Sequence, residues 1–244
     1  MLTYPEDCIQ RYFDDRNWWQ KTKDTQIRPG RLLRAFIPHV SVTPQALTPI
    51  GRQEEEVGNH GKANYQIGPL RIKAPPRTDA LPVAGLTCYP GECFTVYRSK
   101  KRYCLLISVG GVDIPKEMRS SMKPAWHTDP TLVVAPFYGC PKKGTSKWFQ
   151  PFVERIIKCE YPQYLWDTLP VPGDTESSIL RFDHLQPIGR HHDSYELTDY
   201  VLKEEAIEII HEWVFWLSTG DFEEKSTLNM LRNELLGVGP AALN

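Results

Sequence analysis

The sequence predicts a mostly β protein with flanking helices, its strands bent into a small barrel, and three observations lead there. Lys100-Lys101-Arg102-Tyr103-Cys104-Leu105-Leu106-Ile107-Ser108 feeds cations into a short apolar run, the length and bounding of a buried strand rather than a helix. Thr131-Leu132-Val133-Val134-Ala135-Pro136-Phe137-Tyr138-Gly139 is a second such run, β-branched at first and then stopped by proline and glycine. The 21 prolines and 16 glycines among 244 residues call for many turns, loops and short strands. If the two runs lie together, Arg102 and Tyr138 flank one mouth of the barrel, a place suited to an anion.

In chain order, residues 5–23 read as a first helix with Ile9, Tyr12, Phe13 and Trp19 as its apolar stripe. Acids stand early in it and Lys21 and Lys23 late, as the helix dipole favours. Ile27-Arg28-Pro29-Gly30 is a turn, and residues 31–40 follow as a strand. Residues 41–80 are rich in proline, glycine and polar side chains and read as a long loop or insertion. The acidic run Glu54-Glu55-Glu56 within them reads as a solvated turn. After the turn Tyr89-Pro90-Gly91, residues 92–98 make a strand, and Ser99-Lys100 is the tip of a hairpin into the Arg102 strand.

A short helix is expected near residues 115–122. Residues 148–159 read as a third strand region, Pro151 marking an edge or a bulge. Residues 178–188 are again strand-like. From Leu202 onward the spacing of Leu202, Ala206, Ile209, Ile210, Trp213 and Leu217 predicts a helix that Gly220 stops. Asp221-x-x-Glu224 resembles a capping box for a last helix, ended by Gly237. This divides the chain into an extension (1–85), a barrel with its closing helix (86–220), and a last helix with a tail (221–244).

Net charge is −1, so no global field draws the chain to nucleic acid, and RNA binding would rest on a local cationic patch. No apolar run approaches the roughly 20 residues of a membrane span. Residues 1–15 carry acids and no apolar h-region, so no signal peptide is expected and the expected location is cytoplasmic. The six cysteines include no Cys-x-x-Cys pair, which favours thiols over a disulfide framework or a zinc site.

From residue 90 to residue 220 the order of elements resembles the MazF/PemK endoribonuclease toxins. Pro90-Gly91-Glu92 is similar to that family's opening Gly-Asp-type turn, and Arg102-Tyr103-Cys104-Leu105-Leu106-Ile107-Ser108 to its Arg-Pro-Ala-Val-Val-Leu-Ser strand. Val134-Ala135-Pro136-Phe137-Tyr138 is close to its apolar-Pro-x-Thr pattern, and Pro151-Phe152-Val153-Glu154 to its Pro-Phe-Glu-Val segment. Asp183-His184-Leu185-Gln186-Pro187-Ile188 resembles its Asp-Gln-Val-Lys-Ser-Ile strand. In another register, residues 31–40 are the first barrel strand and everything to residue 80 is a swollen loop. The chain departs from the family where Tyr138 replaces a threonine, and where Arg98-Ser99-Lys100-Lys101 replaces the acidic, glycine-rich first loop.

The resemblance implies an SH3-like barrel and metal-independent RNA cleavage by attack of the ribose 2′-hydroxyl. It further implies no cofactor, restraint by an antitoxin-like protein partner, and a homodimer. The alternative is a CcdB-like or catalytically inactive barrel that serves as a protein-binding module.

Cleavage of that kind needs a base for the 2′-hydroxyl, an acid for the 5′ leaving oxygen and cations for the phosphorane. Arg102 suits the cationic role, since a planar guanidinium binds two phosphate oxygens and stays charged. Tyr138 can donate to phosphate, act as the acid, or stack a base. His127 and His184 are the groups that titrate near neutrality. Arg98, Lys100 and Lys101 would hold the RNA backbone, with Asp183 among the RNA-contacting residues by its place in the family's last strand.

Plainer readings stand beside these: Arg102 as a surface cation, Tyr138 as a half-buried barrel aromatic. Asp183, His184, His191, His192 and Asp193 suggest a metal site, but the lack of a helical i, i+4 pair favours a charged loop. Trp213, Phe215 and Trp216 read as core packing, with aromatics on both faces hinting at a dimer or antitoxin surface.

Overall fold

The computed structural model describes residues 4–52, 63–74, 91–118, 130–140, 148–172 and 177–238. The chain forms two compact units, one from Met1–Phe36 with Lys101–Asn244 and one from Ile37–Lys100. Its strands are β1 (Trp19–Lys21), β2 (Arg31–Pro38), β3 (Gln45–Arg52), β4 (Ala63–Pro69), β5 (Phe94–Val96) and β6 (Ser99–Ser108). They continue with β7 (Leu132–Cys140), β8 (Tyr164–Thr168), β9 (Ser177–Arg181), β10 (Gln186–Ile188) and β11 (Glu196–Leu202). The helices are α1 (Gln150–Ile157), α2 (Glu204–Thr219) and α3 (Thr227–Leu236).

The larger unit is built on a curled antiparallel half-barrel sheet in the order β1-β11-β2-β6-β7-β9-β8, with β10 also on β7. The smaller unit carries a three-stranded sheet, β4-β3-β5. The fold is therefore mostly β with a few helices, as the two apolar runs and the turn-rich composition predict.

Because side chains alternate across a strand, the registers sort the central residues onto two faces. Leu105 pairs with Ala135, Phe137 with Leu180, and Leu180 with Leu165. All five are buried in the main core with Ile209, Ile210 and Trp213 of α2 and Leu228 and Leu231 of α3. The helix α2 lies there because its apolar residues recur at three and four, and Gly220 ends it at φ 78. The other face carries Cys140, Ile179 and Trp166, covered by Val153 and Ile156 of α1 and by Tyr4 and Cys8. Along that same face Tyr138, Arg181 and Tyr164 are half-buried.

Several local expectations are corrected. Residues 5–23 form two 3-10 turns, Ile9–Tyr12 and Asp14–Arg16, followed by β1. Asp15 at φ 58 breaks the helix, and the indoles of Trp18 and Trp19 both turn inward to Asp167. Residues 41–80 hold the β3–β4 hairpin, in which a register shift between Pro49 and Gly51 absorbs the breaking residues; the Glu54-Glu55-Glu56 run lies outside the described residues. Ser99 and Lys100 lie within β6 rather than at a hairpin tip, and β5 pairs with β3.

The short helix expected at 115–122 is a 3-10 turn at Lys116–Met118, and the rest of it lies outside the described residues. Within residues 148–159 the chain forms the helix α1 (Gln150–Ile157) rather than a strand, because Pro151 falls in its first turn, where its missing N–H costs nothing. The stretch 178–188 is split into β9 and β10. Leu202 ends a strand, β11, that the sequence had not suggested, so the helix begins at Glu204. The last helix is capped by Ser226, whose Oγ accepts from the Asn229 N–H, and not by Asp221. Gly237 does end it, at φ 66.

Trp213 and Trp216 are core residues, whereas Phe215 is 37% exposed. Cys8, Cys93, Cys104 and Cys159 are free thiols. Among the described residues no helix is long and apolar enough to cross a membrane.

Candidate functional site

The site is made by an irregularity in the sheet. The segment Val134 to Phe137 of β7 faces Gln186 back to Leu180 on the partner side. The surplus on that side is taken up by a 3-10 turn, Phe182–His184. Pro136 lies in the same interval and has no N–H for a ladder. The turn sends Phe182 into the core at 1% exposure, stacked on Trp213 with ring centres 5.7 Å apart. It sets His184 against Tyr138 and Asp183 against Arg181.

Continuing the β6–β7 register from Cys104↔Pro136 places Arg102 opposite Tyr138. The Arg102 guanidinium lies 4.1 Å from the centre of the Tyr138 ring, and that of Arg181 lies 5.7 Å from it. Tyr138 Oη is 2.7 Å from His184 Nδ1, and Arg181 Nη2 is 2.8 Å from His184 Nε2. Arg181 is held in turn by both carboxylate oxygens of Asp183, with Nε donating to Oδ1 at 2.7 Å.

This chain of contacts orders the protons. A guanidinium has only donors, so His184 Nε2 accepts from Arg181, and the neutral ring carries its proton on Nδ1, an assignment from partners. That N–H donates to Tyr138 Oη. The tyrosine's own O–H is left to donate elsewhere. Burial raises the Tyr138 pKa, opposed by the charges of Arg102 and Arg181, so the hydroxyl keeps its proton at neutral pH. Two guanidiniums face one carboxylate here, and Arg102 has no carboxylate partner among the described residues. Its Nε is buried without a hydrogen bond. Such an arrangement can hold an anion against Arg102 and give it a hydrogen bond, or a proton, from Tyr138.

Of the residues singled out in the sequence, Arg102, Tyr138, His184 and Asp183 meet here. Asp183 is engaged with Arg181 and, as an anion, would repel phosphate rather than bind it. His127 lies outside the described residues. Lys101 is exposed and pairs with Glu196 at 2.5 Å, away from the tyrosine. Arg98 and Lys100 are exposed and belong to the smaller unit. His191 bonds Ser194 and His192 sits beside Asp193; neither is bonded to His184. Among the described residues no group of three or more metal-ligating side chains gathers.

Sequence reasoning missed Arg181, the residue that fixes His184. Its signal was a lone cation at the end of the apolar Ser178-Ile179-Leu180 run, next to Asp183 and His184. No protein-family model, curated protein or solved structure matches the chain.

Proposed function

We propose that this chain is a toxin-like, metal-independent endoribonuclease of MazF/PemK type, with its half-barrel as that family's SH3-like barrel. The observation that carries the reading is the Tyr138 hydroxyl, its oxygen held by His184, beside the Arg102 guanidinium, which has no carboxylate partner among the described residues.

In this reading the ribose 2′-oxygen attacks the adjacent phosphorus, its proton passing to solvent, and the bond to the 5′-oxygen breaks. The products are a 2′,3′-cyclic phosphate and a 5′-hydroxyl. Arg102 grips two phosphate oxygens as charge builds on the phosphorane. Tyr138 gives its proton to the leaving 5′-oxygen, and the Nδ1–H of His184 stabilises the phenolate that forms. Arg181 acts through His184, keeping its tautomer and orientation. An RNase of this kind in the cytoplasm calls for an antitoxin-like partner, and a homodimer is the family's expected assembly.

The test is cleavage of a long structured RNA in EDTA, with the ends of the products mapped. Cyclic phosphate and 5′-hydroxyl ends are expected. Arg102→Ala should slow the reaction roughly a hundred- to thousandfold, as loss of one oxyanion contact does, with unchanged melting. Arg102→Lys should recover only part, since a point charge lacks the two-pronged geometry. Wild-type speed from Arg102→Ala would overturn the assignment. An absence of cleavage by the wild-type chain would instead leave the barrel as a CcdB-like or inactive protein-binding module.

A further inference from the structure

We infer that Trp148, Phe152, Tyr161 and Tyr164, on α1, β8 and the segments beside them, form a base-stacking subsite for single-stranded RNA beside the phosphate site; this rests on the cleavage reading above. The link between the two is Arg181. Its guanidinium lies 5.7 Å from the Tyr138 ring centre and 5.0 Å from that of Tyr164, its register partner on β8. Tyr164 in turn meets Phe152 at 5.5 Å, Trp148 at 6.2 Å and Tyr161 at 6.3 Å. A row of rings bridged by the Arg181 guanidinium therefore runs from Tyr138, beside which the phosphate would sit, to Trp148 just before α1.

These rings are not simply core. The aromatics that belong to the second core, Tyr4 and Trp166, are 7% and 6% exposed. Trp148, Phe152, Tyr161 and Tyr164 only pack against its edge and remain half-buried. Partly exposed rings beside a guanidinium are what an unpaired nucleobase needs. Its face stacks on an aromatic or guanidinium plane while its phosphate stays with the cations. Bases within a duplex do not offer that face, so the subsite selects unpaired RNA. Arg155 lies over Tyr161 at 4.9 Å, its charge balanced by Glu160, and gives the far end of the row a second guanidinium plane. The occupant is set by the junction at Arg181, which joins the row to Tyr138 and so makes it the same strand that Arg102 holds.

The test uses the full chain and fully 2′-O-methylated oligonucleotides, which lack the attacking hydroxyl and cannot be cut. Binding by fluorescence anisotropy is compared for a single strand, the same backbone with abasic positions, and a duplex. The wild-type chain should bind the base-bearing single strand at least about fivefold tighter than the abasic one, the lower end of what one stacked base contributes. Tyr164→Leu should remove that difference while Tyr164→Phe keeps it. Equal binding of abasic and base-bearing strands by the wild-type chain would overturn the subsite whether or not any variant folds, and so would equal binding of the duplex. Cleavage without base dependence removes the subsite alone. Base-dependent binding without cleavage of ordinary RNA keeps the subsite and removes the nuclease reading, and no binding at all removes both.

Discussion

Asp167 gives the sharpest test of the packing, because it is a carboxyl with no exposure that ties the start of the chain to β8. Oδ2 accepts from the indole N–H of Trp19 at 2.9 Å and of Trp18 at 3.2 Å. Oδ1 accepts from Tyr4 Oη at 3.0 Å and from the Thr168 N–H at 2.8 Å. Burial pushes the carboxyl from its ordinary 3.8 up to about 7, against the pull of those donors. The acid form is well housed: a proton on Oδ1 can donate to Tyr4 Oη, which then donates to the Thr168 carbonyl at 3.3 Å.

A carboxyl raised in the folded state binds its proton more tightly folded than unfolded. Its contribution to stability is complete below pH about 3.8 and is lost as the pH rises to about 7. The shift corresponds to on the order of 4 kcal/mol across that window. Asp167→Asn reproduces the neutral acid except that its amide, with its oxygen toward the two indoles, turns a second donor on the Thr168 N–H. It should cost about 1–3 kcal/mol at pH 5 and remove this group's part of the pH slope. The stabilities of wild type and variant should therefore converge or cross by pH 8. Urea unfolding of both proteins at pH 5, 6, 7 and 8 measures this. A gap between them that widens as the pH rises would refute the reasoning, since it would mean the carboxylate, not the acid, is the favoured form.

Other expectations follow from single contacts. On the cleavage reading, Tyr138→Phe keeps the ring under Arg102 but removes the proposed acid; RNA cleavage should fall by about a hundredfold or more, and an unchanged rate would leave the ring only packing or stacking. Trp213→Ala empties a fully buried site that stacks on Phe182 and donates to the Pro162 carbonyl at 2.9 Å. Chemical denaturation should show a loss of about 3–5 kcal/mol, and a near-neutral result would move Trp213 out of the core. Gly30→Ala should cost at least about 1 kcal/mol in the same assay, because its φ is +81 and the new Cβ would stand 2.7 Å from Ile207 Cγ1. Wild-type stability there would mean that the turn is not held in this form.

What was legible in the sequence is what a short window encodes. The apolar runs of β6 and β7 and the three-four spacing of α2 report burial directly, and so did the glycines that end α2 and α3. The β3–β4 hairpin was hidden because Pro49, Gly51 and Gly68 speak for a loop until a bulge and an edge absorb them. Helix α1 was hidden because Pro151 means an edge in a strand and an ordinary start in a helix. Arg102 and Tyr138 could be set together from their two apolar runs, but the arrival of His184 beside them could not be derived from spacing. It depends on β7 pairing with β9 and β10 on either side of an extra turn, a fact about register that no local window contains. Arg181 and Tyr164 escaped for the same reason, since each is ordinary until the register sets them together.

That extra turn also ties the backbone of the site to the core. Phe182 is clamped on three sides: its ring lies on Trp213, its N–H donates to the Gln163 carbonyl at 3.0 Å, and its own carbonyl accepts from Leu185 at 3.2 Å. Asp183 and His184 follow it directly, so the backbone that carries them is fixed by the core and not by the site. Their side chains then have few choices. Asp183 grips Arg181, Arg181 dictates which nitrogen of His184 bears the proton, and His184 holds the oxygen of Tyr138. Preorganisation of this kind comes from supporting contacts around a site rather than from the reacting groups themselves. Here the support runs unbroken from a buried tryptophan of α2, through one 3-10 turn, to the phenol beside Arg102.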